Sequence, residues 1–394
     1  MAGWDGRYAA RAARMSASEI RELLKLLDQP DIISFAGGIP DPALFPSGPL
    51  AAAFRGILEQ PETAETALQY SVSEGWLPLR AWLAGYMAGR GVECGPEHIL
   101  ITNGSQQALD FLGKLFVGPG DRVLTARPTY LGALQAFTTY EADYGPFPGL
   151  DGTPVGAASG RLAYLMPDFA NPSGRTLTLD ERRQVLAQAA ELDLPVVEDA
   201  AYEQLAFDGE PLPSLLALDS AGRGIDAGRV LYCGTFSKTV VPGLRIGWIV
   251  APREVIQRLV LIKQASDLHT SALNQMAMLE VAQAVVPGHV ATICAAYKAR
   301  RDAMLAALER HMPPGVRWSR PGGGMFLWLD LPKGLDAAML LRRAIAEARV
   351  AFVPGAAFFP DRSVTNALRL SFSLNAPERI EAGIARLAEV VRAA

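Results

Sequence analysis

The sequence predicts an α/β protein with a three-layer large domain and a second, smaller domain. Short apolar strands alternate with amphipathic helices from about residue 98 to residue 250, a pattern typical of a parallel-rich sheet covered by helices on both faces. The sequence then becomes strongly helical, with one helix predicted over Pro252–Val286 and a second from about Val290 to His311, and strand and helix patterns return up to Leu374. A chain of 394 residues is long enough for two or three domains.

The composition narrows the classes of function. Half of the residues are apolar, and the net charge of −4 gives no electrostatic reason to expect nucleic acid or an anionic membrane as a partner. No apolar run approaches the ~20 residues that span a bilayer, and the charged, alanine-rich start is unlike a secretory signal. We expect a cytoplasmic protein without a metal, because its cysteines are far apart and its histidines form no ligand pattern: Cys94, Cys233, Cys294, His98, His269, His289 and His311.

The first predicted helix begins at a capping box formed by Ser16 and Glu19. Arg21 lies beside the apolar stripe of this helix, and this pattern alone predicts a solvated charge on the helix face. After Pro30 a short strand leads into a glycine turn at Gly38, where the backbone can approach a ligand closely.

The next part of the sequence contains a candidate anion site. A helix from about residue 49 and the helix Leu77–Met87 precede the strand His98–Thr102, which is followed by Gly104 and Ser105 at the start of another helix. Free N–H groups and the positive end of the helix dipole favour an anion at such a turn, although most turns of this kind bind nothing.

Polar and aromatic side chains follow the next strands at the points where the strands end. Because the carboxyl ends of parallel strands meet at one edge of a sheet, we expect these side chains to lie close together. The stretch between residues 145 and 160 is predicted to be a loop. The side chains are Tyr130 after Val123–Ala126, Asn171 after Arg161–Met166, and Asp199 with Tyr202 after Pro195–Val197.

The stretch Thr235–Gly247 contains the most informative lysine of the chain. Lys238 follows the apolar strand Val230–Cys233, with Ser237 beside it and Arg245 further along. A lysine amine can attack a carbonyl while a hydroxyl and a guanidinium hold a phosphate, which favours pyridoxal phosphate carried on Lys238 as a Schiff base. A surface lysine on a Gly/Pro-rich turn is the alternative that this stretch alone leaves open.

The other side chains at the predicted sheet edge suit the same cofactor. A buried carboxylate keeps the pyridine nitrogen protonated, and Asp199 is the candidate, with a helix N-cap as its alternative role. Asn171 and Tyr202 are placed to hydrogen-bond to the phenolic oxygen of the ring. The helix N-terminus at Ser105 would join Arg245 in binding the phosphate dianion.

The last predicted strand, Ala367–Leu374, alternates apolar residues with Arg369 and Ser371, which predicts one buried face. An arginine on such a strand needs an anionic partner, because a desolvated and unpaired charge is costly. The partner is either a substrate α-carboxylate or a structural salt bridge, and the sequence leaves both open.

Taken together, these residues make the chain similar to the fold-type I, or aspartate aminotransferase, superfamily of pyridoxal phosphate enzymes over essentially its full length. Within it, the chain most resembles the 2-aminoadipate and aromatic aminotransferases, including the LysN-type and kynurenine/aminoadipate enzymes. The matching motifs are Ile20–Lys25, Ser34–Gly38, Leu68–Tyr70, Gly104–Ala108, Asn171–Gly174, Glu198–Tyr202, Phe236–Lys238, Pro242–Arg245, Asp267–Thr270 and Leu368–Ser371. One departure is Ala200, where a second aspartate is common in the family.

The resemblance implies a role for each matching residue. Lys238 would be the Schiff-base lysine, with Asp199 on the pyridine nitrogen, Tyr202 and Asn171 on the phenolic oxygen and Tyr130 stacked on the ring; Lys238, Asp199 and Tyr202 would be the catalytic residues. The phosphate would be bound by Gly104, Ser105, Gln106, Ser237, Arg245 and, from the neighbouring subunit, Tyr70. The substrate would be bound by Arg369, Asn171, Gly38 and, through a distal carboxylate, Arg21.

The resemblance also implies a homodimer and a division into domains. Residues 1–48 would form a mobile helix and an arm joining the small domain, residues 49–285 the large domain with a mostly parallel mixed sheet, and residues 286–394 the small α+β domain. The implied activity is transfer of an amino group from an L-amino acid (2-aminoadipate- or glutamate-like, aromatic or branched) to a 2-oxo acid such as 2-oxoglutarate, by ping-pong half-reactions.

Two alternatives remain at this stage. The same scaffold supports β-lyases and decarboxylases, which a cofactor site does not distinguish from a transaminase. The non-enzymatic alternative is the effector domain of a transcription regulator, which carries an N-terminal winged-helix domain. We do not expect that domain here, because Ser34 lies too near the start of the sequence to leave room for it.

Overall fold

The computed structural model describes residues 4–15, 31–156 and 158–394 of the chain. The helix predicted after the Ser16 capping box, including Arg21, lies outside these residues. The strands are β1 (Ile33–Ser34), β2 (Ile99–Thr102), β3 (Arg122–Thr125), β4 (Asp143–Pro146), β5 (Leu162–Leu165), β6 (Val196–Asp199), β7 (Val230–Thr235), β8 (Gly247–Val250), β9 (Arg317–Trp318), β10 (Phe326–Asp330), β11 (Val350–Ala351), β12 (Val353–Pro354) and β13 (Ala367–Ser371).

Eleven α-helices are found among the described residues. In order they are α1 (Ser47–Glu59), α2 (Pro61–Leu68), α3 (Leu77–Ala88), α4 (Ser105–Phe116), α5 (Leu131–Thr138), α6 (Leu179–Glu191), α7 (Leu215–Ser220), α8 (Arg253–Ser266), α9 (Ala272–His311), α10 (Ala337–Arg343) and α11 (Pro377–Arg392). Helix α6 begins at a capping box, in which the Glu181 N–H donates to Thr178 Oγ1 and the Glu181 carboxylate accepts from the Thr178 N–H.

A seven-stranded mixed sheet forms the centre of the large domain, in the order β2-β8-β7-β6-β5-β3-β4. Strand β8 is antiparallel to β2 and to β7, and all the other neighbouring pairs are parallel. Every strand except β8 therefore runs in the same direction. The predicted α/β class, with a mostly parallel mixed sheet, is confirmed.

The two faces of this sheet pack into separate apolar cores. Along β2, for example, Leu100 belongs to one core while Ile99 and Ile101 belong to the other. Helix α4 packs on the first face and α3 on the second. This arrangement gives the three predicted layers, and continuous apolar strands are explained by burial on both faces.

A four-stranded antiparallel sheet, in the order β12-β13-β10-β9, forms the centre of the smaller unit. Strand β1 pairs in parallel with β11, so the segment before α1 joins this part of the molecule. The Ser371 N–H also donates to the Phe35 carbonyl at 2.8 Å. These contacts bring the backbone around Gly38 next to the strand that carries Arg369.

The long helix α9 links the two sheets. Its halves, Ala272–Val286 and Gly288–His311, meet at a bend of 71°. Among the described residues, no single helix has the length and hydropathy to cross a membrane, whereas the two bent halves of α9 meet that test only as a pair.

Three predicted elements differ from the structure. The helix predicted from residue 252 to residue 286 is interrupted after Ser266, because Leu268 adopts a φ of +66° and Ser271 caps a new helix. Part of the predicted loop at residues 145–160 belongs to β4, an edge strand where Gly145 and Pro146 are tolerated. Strand β13 is buried on both faces, not on one, because aromatic side chains cover Arg369.

Candidate active site

The predicted site residues lie where the strands of the large sheet end. Gly104 follows β2, Tyr130 follows β3, Asn171 follows β5, Asp199 ends β6 and Lys238 follows β7. Because these strands run in the same direction, their carboxyl ends meet at one edge of the sheet. The convergence that the sequence predicts is therefore present in the fold.

Lys238 lies half-buried at the centre of this edge. Its Nζ donates to the Gly38 carbonyl at 3.2 Å and lies 5.9 Å from the centroid of the Tyr202 ring. Burial lowers the pKa of the Lys238 amine to about 8, and the positive charges of Arg245 and Arg369 contribute to this shift. The amine is consequently neutral, and able to act as a nucleophile, in a larger fraction of molecules near neutral pH.

Asp199 lies at the buried end of β6. Its Oδ2 accepts a hydrogen bond of 2.7 Å from the Tyr164 hydroxyl, and its Oδ1 accepts one of 3.3 Å from the Ala201 N–H. Burial raises the pKa of Asp199 to about 6, against the lowering effect of these two donors. The residues after Asp199 form turns, so the alternative role as a helix N-cap does not apply.

The hydrogen bond from Tyr164 to Asp199 is not predicted by the sequence analysis. A single tyrosine hydroxyl in the apolar strand β5 signals that a polar partner must lie nearby, because a buried hydroxyl is costly when it is unpaired. The strand pattern alone does not identify the hydrogen-bond partner of the Tyr164 hydroxyl. The register of β5 against β6, with Tyr164 beside Val197, places Asp199 within reach.

Asn171, Tyr202 and Tyr130 surround the same space. Asn171 Oδ1 accepts a hydrogen bond of 2.8 Å from Arg369 Nη1, and the Asn171 side chain is within hydrogen-bonding reach of Tyr202. Tyr202 is buried, which raises the pKa of its hydroxyl. Tyr130 precedes α5, and burial together with the negative charge of Asp199 raises the pKa of Tyr130 to about 12.

The turn before α4 has the geometry of an anion site. Gly104 adopts a φ of +75°, a backbone conformation that favours glycine, and the Arg245 guanidinium lies close to its Cα. The helix begins at Ser105, and the Gln106 side chain donates to the Gly132 carbonyl at 2.9 Å. Free N–H groups and the helix dipole favour an anion here.

Arg245 faces this turn from the loop after β7, and Ser237 lies on the same loop. The Ser237 N–H donates to Thr235 Oγ1 at 3.1 Å, and the Thr235 hydroxyl donates to Ser237 Oγ at 2.9 Å. Arg245 Nη2 donates to the Asn103 carbonyl at 3.3 Å. Arg245 has a φ of +56°, a backbone conformation that is strained for any residue other than glycine. The guanidinium is thereby directed at the start of α4.

Arg369 is the most buried cation of this group. Its Nη1 donates to Asn171 Oδ1, its Nη2 donates to the Ala36 carbonyl at 2.5 Å, and its guanidinium carbon lies 4.2 Å from the Phe326 ring centroid and 5.1 Å from that of Phe358. Its Nε has no hydrogen-bond partner, and no carboxylate of the described residues pairs with it. The structural salt bridge that the sequence left open is therefore absent from this part of the chain.

The remaining predicted residues differ in their positions. Gly38 lies against the aromatic cover of Arg369, since an added Cβ would approach Phe326 Cζ to 2.4 Å. The Tyr70 side chain is 79% exposed, and its ring packs edge-on against His269 at 5.9 Å. Tyr70 therefore does not join the other predicted site residues of the same chain. Arg21 lies outside the described residues.

The donor set fits pyridoxal phosphate. It contains a half-buried lysine of lowered pKa for the aldehyde, a buried carboxylate for the ring nitrogen and a glycine turn at a helix N-terminus for the phosphate. It also contains a buried arginine whose Nε has no partner, which suits a substrate carboxylate. The fold and this site define an enzyme that depends on pyridoxal phosphate.

The chain belongs to the aminotransferase class I and II family, whose model matches residues 49–387. Aromatic-amino-acid aminotransferase 1 of Thermococcus litoralis is 42% identical over 99% of this chain and 95% of its own length. The 2-aminoadipate transaminase of Thermus thermophilus is 43% identical over 99% of this chain and 97% of its own. The crystal structure of LysN, an alpha-aminoadipate aminotransferase from Thermus thermophilus complexed with N-(5'-phosphopyridoxyl)-L-leucine, matches with a TM-score of 0.91, 41% identity and coverage of 100% of this chain and 99% of that one.

The chain is therefore a fold-type I aminotransferase that depends on pyridoxal phosphate and acts on amino acids and 2-oxo acids. This confirms the class of activity predicted from the sequence, which is transfer of an amino group.

Proposed function

We propose that this aminotransferase moves the amino group of an L-amino acid to 2-oxoglutarate by ping-pong half-reactions, and that its donors have 2-aminoadipate- or glutamate-like, aromatic or branched side chains. The observation that carries the proposal is Arg369, a buried guanidinium with an unpartnered Nε and no carboxylate partner among the described residues. The relatives support the donor classes, since two are named for aromatic amino acids and 2-aminoadipate and the LysN structure holds a leucine derivative.

The cofactor would be held by the residues at the sheet edge. When bound, pyridoxal phosphate supplies an aldehyde that condenses with amines and a protonated ring that withdraws electrons from the substrate Cα. Lys238 would bind the aldehyde carbon, Asp199 the ring nitrogen, Asn171 and Tyr202 the phenolic oxygen, and Tyr130 the ring face. The phosphate would be bound by Gly104, Ser105, Gln106, Ser237 and Arg245.

The lysine then has a second task in our proposal. Once displaced by the substrate amine, Lys238 Nζ would accept the proton of the substrate Cα and would hold it for transfer to the cofactor. A pKa lowered to about 8 suits both steps, because the amine is a competent base close to neutral pH. Asp199 would hold a proton on the ring nitrogen.

Arg369 and its neighbours would orient both substrates. The guanidinium would bind the α-carboxylate that amino donor and 2-oxo acceptor share, while Asn171 and the backbone at Gly38 would line the same subsite. The aromatic rings over Arg369 exclude water, which strengthens this charge interaction. We keep Arg21 as the predicted ligand of a distal side-chain carboxylate.

We further propose a homodimer in which Tyr70 reaches the phosphate site of the partner subunit. The exposed ring supports this, as do nearby exposed apolar side chains at Leu68, Val72 and Leu268. Mixing Lys238→Ala with Tyr70→Ala tests it, because one intact site forms only if the tyrosine is shared between subunits. Activity that does not appear on mixing would show that Tyr70 acts within its own chain or not at all.

The division of the chain and its location are also part of the proposal. We divide it into an arm (residues 1–48), a large domain (49–285) and a small domain (286–394), supported by the pairing of β1 with β11 and by the bend in α9. A cytoplasmic location is supported by the free thiols of Cys94, Cys233 and Cys294.

A panel of amino donors with 2-oxoglutarate tests the substrate proposal. We expect a 2-oxo acid product from at least one acidic donor and one aromatic or branched donor, and no product with Lys238→Ala. Arg21→Ala should lower activity with acidic donors relative to apolar ones, and an unchanged ratio would exclude the distal-carboxylate role. Full activity of Lys238→Ala would refute the assignment of the lysine.

A further inference from the structure

Behind the anion-binding turn lies a cluster of four side chains that the proposed function does not use: Asn103, Gln107, Lys263 and Asp267, here the Lys263 cluster. Lys263 Nζ donates to Gln107 Oε1 at 2.9 Å and to the Asp267 carboxylate at 3.0 and 3.1 Å. Asp267 Oδ2 also accepts from Asn103 Nδ2 at 2.5 Å and from Gln107 Nε2 at 2.8 Å. The four side chains are thus joined by one continuous set of charge-assisted bonds.

The cluster is buried enough for its charges to matter. The Lys263 side chain has no solvent exposure, its Nζ lies 5.7 Å from the Phe111 ring centroid, and the Asp267 side chain is 25% exposed. Burial lowers the pKa of Lys263, and the nearby Asp267 carboxylate opposes that shift. An ammonium in such a place is maintained only by its partners, so each member depends on the others.

The cluster holds the first residue of the turn at several points. The Asn103 N–H donates to Gln107 Oε1 at 2.9 Å, its side chain donates to Asp267, and its carbonyl accepts from Arg245. Gly104, the next residue, has a φ of +75° and α4 begins immediately after it. The direction of the free N–H groups at this helix end therefore follows from the position in which Asn103 is held.

We infer that the Lys263 cluster is a positioning device that holds the turn before α4 in its phosphate-binding form before any ligand arrives. The inference rests on the proposed role of this turn as the phosphate site. A turn that is already ordered does not lose conformational entropy on binding, so the affinity for a phosphate is higher. Asp267 and Lys263 are positioning residues, since they act through Asn103 and Gln107 and do not touch the phosphate.

The test compares two ligands that differ in the phosphate alone. Apo-protein is titrated with pyridoxal phosphate and with pyridoxal, and the two dissociation constants are measured by absorbance for the wild type, Asp267→Asn and Lys263→Met. Asp219→Asn is the matched control, because Asp219, like Asp267, is an aspartate that accepts hydrogen bonds from more than one donor, but it lies at the opposite end of β7. Thermal melting of each apo-protein reports the stability.

We expect Asp267→Asn to raise the dissociation constant of pyridoxal phosphate at least tenfold and to change that of pyridoxal by less than twofold. Lys263→Met should change the two constants in the same direction. Asp219→Asn should lower the melting temperature without changing the ratio of the two constants. The inference would be overturned if both dissociation constants rose by the same factor, or if that of pyridoxal phosphate did not change. If the wild type itself does not prefer pyridoxal phosphate to pyridoxal, the proposed phosphate role of the turn is wrong instead.

Discussion

Replacing Tyr164 by phenylalanine should raise the pKa of Asp199. The change removes one hydroxyl, which donates at 2.7 Å to Asp199 Oδ2, and leaves the ring in its buried place on β5. A hydrogen bond to a charged group contributes about 1.5–3 kcal/mol, and one pKa unit corresponds to about 1.4 kcal/mol. From the value of about 6 in the wild type, the pKa of Asp199 should rise by about one to two units.

The consequence is a change in charge close to neutral pH. In cofactor-free wild type, about nine-tenths of the Asp199 side chains are ionised at pH 7, whereas about half or fewer should be ionised in Tyr164→Phe. The ionised carboxylate is the form that pairs with a protonated ring nitrogen. The pH below which the affinity for pyridoxal phosphate falls should therefore move upward in the variant.

The assay is a carboxyl carbon NMR titration of cofactor-free protein with labelled aspartate, with the Asp199 signal identified by its absence in Asp199→Asn. Tyr232→Phe is the control, because the Tyr232 hydroxyl is buried on the neighbouring strand β7 and donates to Glu203 at 2.6 Å. The control should leave the pKa of Asp199 unchanged. An Asp199 pKa that stays the same or falls in Tyr164→Phe would refute the reasoning.

Three further predictions follow from the same structure. Arg369→Lys replaces a planar donor pair by a point charge, so KM for amino donor and 2-oxo acid should rise about 10–100-fold in steady-state kinetics while the affinity for pyridoxal phosphate stays unchanged. Gly38→Ala, whose Cβ would lie 2.4 Å from Phe326 Cζ, should lower kcat/KM at least about tenfold, and Gly48→Ala, where nothing lies within 4 Å, should not. Burial raises the pKa of Glu198 to about 8, so between about pH 5 and pH 8 the folded cofactor-free protein binds a proton that the unfolded chain has lost. The free energy of unfolding, measured by urea titration, should therefore fall as the pH rises through this range. In Glu198→Gln it should fall less steeply.

The positions of the site residues could be predicted from local patterns because of one property of parallel sheets. Asn171, Asp199 and Lys238 each follow an apolar run, and a run of this kind marks a buried strand whose end is easily located. When successive strands run in one direction, their ends converge without any knowledge of the strand order. The position of the turn at Gly104 could be predicted in the same way, since β2 shares that direction.

The contacts between these residues could not be predicted, because they depend on register and packing between distant segments. Tyr164 meets Asp199 through the pairing of β5 with β6. Arg369 is covered by Phe326 on β10 and by Phe358, and only this cover makes its burial complete. Neither contact has a signature at fixed spacing in the sequence.

The chemistry of Lys238 shows why the difference matters. Its own stretch supplies Arg245, but the second cation that lowers its pKa, Arg369, comes from β13 of the other sheet. Arg369 has this effect because it is buried and has no carboxylate partner among the described residues, so its charge acts through a medium of low dielectric constant. The lowered pKa of the lysine is therefore a property of the assembled fold, and a motif that contains the lysine alone could not have predicted it.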